Sequence, residues 1–148
     1  MEELIQTLKT LLGSTVALRY KAHGYHWNVE GADFPEWHEK FEEIYESLDE
    51  FIDPLAEWIR ILQEYAPYKL TRFSALSSIP ETEITSDPLA MAADLLKDHE
   101  ASAVAFGTAS AAAGNAGQKG LENFLADGMT AHQKWAWQLR ASLVKNSA

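Results

Sequence analysis

The sequence predicts an all-α protein: a four-helix bundle with a short extra helix in the connection between helices 2 and 3. Three observations carry this. Apolar residues recur every third or fourth position through four long segments, Pro- and Gly-containing turns separate those segments, and no stretch of convincing length alternates with the two-residue period of a strand. The first helix is marked by Leu4, Ile5, Leu8, Leu11, Leu12, Thr15, Val16 and Leu18 and runs to about Trp27, stopping in the turn-rich Asn28–Asp33. Pro35 suits the first turn of a second helix capped near Asp33 or Phe34, which reaches about Tyr65, ahead of Pro67. Residues 67–87 form the long connection, with a short helix around Phe73–Leu76. Asp87-Pro88 is a cap followed by a first-turn proline and opens a third helix ending near Gly114. After the turn Gly114–Gly117, Leu121, Phe124, Leu125, Met129, Trp135, Leu139 and Leu143 mark a fourth helix. The 148 residues suit one domain, 1–148.

Composition narrows the function. Twelve Lys and Arg face 22 Asp and Glu, a net charge of −10, and there is no cysteine. Disulfides, thiolate metal sites and cysteine nucleophiles are excluded together. The start, Met1-Glu2-Glu3, is acidic where an export signal is basic, and Ala101–Ala113 is too short and too weakly apolar to span a bilayer, so a soluble cytoplasmic protein is expected. Eleven of the acids fall between Glu30 and Glu57, opposed only by Lys40. Such a block attracts cations and repels phosphates, and no basic cluster suited to nucleic acid offsets it.

The second helix has two faces. At about 100° per residue, Phe41, Ile44, Tyr45, Leu48, Phe51, Ile52, Leu55, Ile59 and Leu62 share one arc, while His38, Glu42, Glu46, Asp49, Asp53 and Glu57 share another. The apolar arc explains a bundle core. An acidic arc is ordinarily a solvated face. This one lacks the Glu–Lys pairs that stabilise exposed helices, and it carries a histidine with His26 just across the turn. Imidazole with carboxylate suits iron, zinc or manganese. Asp53 and Glu57, four residues apart, can share a metal, but His38 lies 15 residues before Asp53, about 22 Å along one helix. These groups cannot meet on one ion within a chain. Two copies packed antiparallel about a two-fold axis would bring them together, and the sequence permits that arrangement without demanding it.

The run His26-Trp27-Asn28-Val29-Glu30-Gly31, then Phe34, His38, Phe41 and Tyr45, then Asp53 and Ala56-Glu57, together with His132-Gln133-Lys134 and Ala136–Ala141, resembles the Dps family, the ferritin-like DNA-protection-during-starvation miniferritins. The similarity covers nearly the whole chain and is weakest in the middle connection. The resemblance implies an intersubunit iron site with His26 and His38 from one chain and Asp53 and Glu57 from its two-fold mate, Glu42 supporting a second iron. It also implies a ferroxidase that oxidises Fe(II), preferentially with hydrogen peroxide over oxygen, and stores ferric mineral in a hollow twelve-subunit shell.

The chain departs from the family pattern at several positions. Pro54 follows Asp53 and is expected to kink the helix. Trp58 stands where the family commonly has Arg, and Gln118 where it often has Asp, which leaves Glu122 and Asp127 as uncertain pore candidates. The helix signal begins almost at Met1 and the tail Lys145–Ala148 has one charge, so no basic arm for DNA is expected and DNA binding should be weak or absent. Of the other histidines, His23 reads as packed or surface, His99 as a solvated helix position and His132 as structural. The five tryptophans read as core or interface anchors, with Trp27 and Trp58 flanking ligand candidates. No histidine follows a Glu by three residues, which argues against a di-iron carboxylate enzyme of the Glu-x-x-His type, and no His-Glu-x-x-His is present. The rival readings are a DNA-coating nucleoid protein and a helical oligomer without ferroxidase activity.

Overall fold

A computed structural model describes residues 1–84 and 86–145; of the tail, positions 146–148 lie outside the described residues. Five helices follow in order: α1 (Glu2–Asn28), α2 (Phe34–Ile61), α3 (Leu70–Leu76), α4 (Pro88–Asn115) and α5 (Lys119–Ser142). There is no strand among the described residues. The long helices pair as two hairpins, α1 with α2 and α4 with α5; α1 packs on α4 to join them, and α3 lies on α1. Among the described residues no helix is long and apolar enough to cross a membrane.

Local chemistry sets the helix ends. Asp87 caps α4, its side chain accepting from the Leu89 N–H at 3.2 Å, with Pro88 in the first turn. The second helix stops at Ile61, four residues short of the Tyr65 the sequence suggested. Gln63 adopts a left-handed φ of 72°, its N–H bonds back to the Arg60 carbonyl and the Glu64 N–H to that of Ile59. This is a Schellman closure with glutamine in the place glycine usually fills. The helix assignment continues through Pro54.

The core forms two clusters. One gathers Leu4, Leu8, Leu12, Leu55, Ile59, Phe106, Leu121 and Leu125; the other gathers Leu18, Phe41, Ile44, Leu48, Met91, Leu95 and Leu139. The predicted apolar arc of α2 supplies Phe41, Ile44, Leu48, Leu55 and Ile59, all buried. Gly128 lets α5 approach α4: a Cβ there would overlap the ring of Phe106, with Cε1 only 2.6 Å away. Of the tryptophans, Trp27 and Trp137 are more than half exposed in the chain, while Trp37, Trp58 and Trp135 are half-buried.

His99 overturns one expectation. It is fully buried, not solvated, and its Nδ1 lies 2.9 Å from Nδ1 of His132, also buried, on α5. One ring donates and the other accepts, and both Nε2 atoms are left without a partner. His99 shares the inward stripe of α4 with Leu95, Ser102 and Phe106. Burial, aided by His132, lowers the His99 pKa well below the ordinary imidazole value; burial alone pushes His132 down to about 4.

Two outcomes are expected. Gly128→Ala should destabilise the chain by about 1–2 kcal/mol in thermal melts, since overpacking outweighs the helix-propensity gain. The buried pair stays neutral in the fold but takes up protons near pH 6.5 when unfolded, so its contribution is complete above pH 6.5 and declines as pH falls toward 4. His132 accounts for about 3 kcal/mol of that decline. A His99→Leu/His132→Leu variant should show a flatter stability profile between pH 6.5 and 4 than the parent chain.

Candidate functional site

His26 lies in the last turns of α1 and His38 in the first turns of α2, and the hairpin brings their rings face to face, centroids 3.7 Å apart and 16° from parallel. The two residues clasp each other. Nδ1 of His26 donates to the backbone carbonyl of His38 at 2.7 Å, and Nδ1 of His38 donates to the carbonyl of His26 at 2.7 Å. The second bond fills a gap at the helix end. The Val29 N–H closes on Tyr25, but the next N–H, that of Glu30, turns away to the carbonyl of Ser86. The carbonyl of His26 would lack a partner without the His38 ring.

A carbonyl only accepts, so Nδ1 carries the proton in both rings. In the neutral form each Nε2 then presents a lone pair. A ring nitrogen held by a carbonyl, with the opposite nitrogen free, is the usual arrangement of a metal-binding histidine. Glu42 stands one turn beyond His38 with Oε1 3.8 Å from Nε2 of His26. The imidazole pair thus has one carboxylate close to His26 at the α1–α2 turn.

Asp53 and Glu57 are exposed, one turn apart, farther along α2. Since α2 holds both His38 and Asp53, the axial offset of about 22 Å stands. Among the described residues no three His, Asp or Glu side chains converge within the chain to hold a metal ion.

Around the imidazole pair lies a shell that the motif spacing did not reveal. The His23 ring stacks on Tyr45 at 4.0 Å and against Trp27 at 4.1 Å, and Tyr45 meets His26 edge-on at 5.5 Å. Nη1 of Arg19 donates to Nδ1 of His23 at 2.8 Å, while its Nε and Nη2 fork onto the carboxylate of Asp49 at 2.9 and 3.3 Å. Burial, then the charges of Arg19 and His26, lowers the His23 pKa. The four-residue spacing of Arg19 and His23 on α1 was the available signal. Trp27 flanks this shell as expected. Trp58 instead turns toward the core cluster and the start of α5, beside Gly120.

Comparison with known proteins identifies the family. Residues 5–147 match the ferritin-like domain family. The chain is 30% identical over 142 residues to DNA protection during starvation protein 2 of Bacillus anthracis, covering 96% of this chain and 97% of that protein. The chain belongs to the Dps family of ferritin-like proteins. Among solved structures similar to this Dps-family chain, antigen TpF1 from Treponema pallidum aligns with a TM-score of 0.93 at 27% identity, over 97% of this chain and 93% of that one. The DPS protein from Vibrio cholerae O1, described as belonging to a broad superfamily of ferritin-like diiron-carboxylate proteins, gives a TM-score of 0.92 at 29% identity, over 97% and 90%.

Proposed function

We propose that this Dps-family chain is a cytoplasmic ferroxidase that oxidises Fe(II), preferably with hydrogen peroxide, and stores the ferric product in a hollow shell of twelve copies. The clasped His26–His38 pair, with both Nε2 atoms free to bind, is the observation that carries the reading. Fe(II) is the substrate. His26 and His38 of one chain and Asp53 and Glu57 of a second copy bind it, and Glu42 supports a second iron beside His26. Antiparallel pairing of two α2 helices about a two-fold axis makes two equivalent sites from two half-sites.

The electron count closes without a further reductant. Two Fe(II) ions each give one electron, the O–O bond of peroxide accepts the pair, and its oxygens leave as water or hydroxide. No hydroxyl radical is released, so storage and protection are one reaction. The exposed acids of α2, Glu46 and Asp49 among them, raise the local concentration of cations such as Fe(II). An oligomer without ferroxidase activity is the competing reading, and iron oxidation kinetics separate the two.

Replacing His38 or Glu57 by Ala should abolish fast Fe(II) oxidation, followed by stopped-flow absorbance after anaerobic loading and peroxide addition, while light scattering shows assembly intact. Mixing the His38→Ala and Glu57→Ala chains should restore part of the rate, because a mixed dimer holds one fully equipped site and one doubly deficient site. No recovery after verified subunit exchange would place all the ligands in one chain.

A net charge of −10 per chain also repels a polyanion over about 8 Å at physiological salt. Iron-free protein with chelator present should leave plasmid DNA unretarded in a gel-shift assay at about 0.15 M ionic strength. Tight retardation would instead favour a DNA-coating role.

A further inference from the structure

We propose that Arg19 sets the metal preference of this site by keeping a third imidazole, that of His23, out of coordination. The inference rests on the iron-site reading above. His23 sits one helical turn before His26, with ring centroids 5.7 Å apart. It is not free to swing away, since Tyr45 and Trp27 hold the ring on two sides. A third nitrogen donor is therefore parked beside the ligand pair.

What it can do depends on where its proton sits. A guanidinium has five donors and no acceptor, so Nδ1 of His23 accepts from Nη1 of Arg19 and its lone pair is used there. The neutral ring then carries its proton on Nε2, which leaves no lone pair on that side. His26 and His38 hold the opposite tautomer, with the proton on Nδ1 and the lone pair on Nε2. To bind a metal through Nε2, His23 would have to protonate Nδ1, and two N–H groups would then face each other across 2.8 Å.

Arg19 is well placed to enforce this. It keeps its charge at any physiological pH, its fork on Asp49 fixes the guanidinium, and it packs over the rings of Tyr45 and Tyr20 at 4.9 and 4.7 Å. The consequence is a site of two imidazoles completed by carboxylates, a mixed set suited to iron. Three imidazoles would be the donor set of a zinc centre and would also suit copper.

The test uses the assembled protein loaded with one equivalent of Cu(II) per site, with pulsed EPR counting the imidazole nitrogens on the metal. A second readout is inhibition of Fe(II) oxidation by Zn(II). The parent protein and His23→Phe should both show two imidazoles. Arg19→Leu should show three, and the Arg19→Leu/His23→Phe double variant should return to two. Half-inhibition by Zn(II) should occur at about tenfold lower concentration in Arg19→Leu and recover in the double variant. A third imidazole in the parent protein, or only two in Arg19→Leu, overturns the proposal. Should Arg19→Leu fail to assemble, Arg19→Met, which keeps the unbranched aliphatic stem and removes the donors to His23, takes its place with the same expected counts. A parent protein that binds no Cu(II) through His26 and His38 overturns the iron-site reading itself, an outcome distinct from a two-imidazole count in Arg19→Leu.

Discussion

A buried ammonium group sets the register of the two hairpins. Lys21 of α1 reaches across to α4 and donates to Asp94 at 3.0 Å and to Asp98 at 2.8 Å, with all three side chains largely out of solvent. Asp94 and Asp98 lie one turn apart, so Lys21 is seated between successive turns of α4 and the axial slide of α1 is fixed. The hydroxyls of Tyr25 and Thr82 both donate to the same oxygen of Asp94, each at 2.6 Å, which also ties the long connection to the bundle. Burial pushes Asp94 up, but the bonds from Thr82, Tyr25 and Lys21 outweigh it and hold the carboxyl below its ordinary value; at Asp98 burial prevails and the value is raised. Breaking such a buried network at one partner typically costs about 3–5 kcal/mol, far more than a surface ion pair supplies. The end of α1, and with it His26, is placed from this anchor.

From there the site follows from helix rigidity. A straight helix keeps His38 and Asp53 apart whatever their side chains do. On the proposed iron-site reading, half of the ligands lie toward each end of α2, and the site is completed only by a second copy. On that reading oxidation waits on the association of two copies. The exposed acidic face of α2 attracts cations.

The elements most legible in the sequence were those with local signals. Apolar periodicity located the long helices, Asp87-Pro88 marked the start of α4 and Pro35 the start of α2, and the short helix in the connection extends three residues earlier than Phe73. The end of α2 was hidden because Gln63, not glycine, takes the left-handed position. The burial of His99 was hidden because α4 is alanine-rich on all sides, so its apolar pattern does not reveal which face turns inward. At the site, residue spacing indicated His26, His38 and Glu42 as neighbours. It could not indicate the clasp, since each ring bonds to a backbone carbonyl, a group every residue has. Nor could it indicate the tautomers, which depend on three-dimensional partners such as Arg19.

The clasp gives His26 and His38 two kinds of importance that a sequence cannot separate. The His38 ring caps the end of α1 whether or not iron is ever bound, so a protein that had lost its metal chemistry would still gain from keeping both histidines. Asp53 and Glu57 have no such second employment: they are exposed and form no ion pair among the described residues. If iron binds as proposed, the histidine pair in a homologue of unknown activity marks the hairpin, and the two carboxylates are the more discriminating marker of the chemistry.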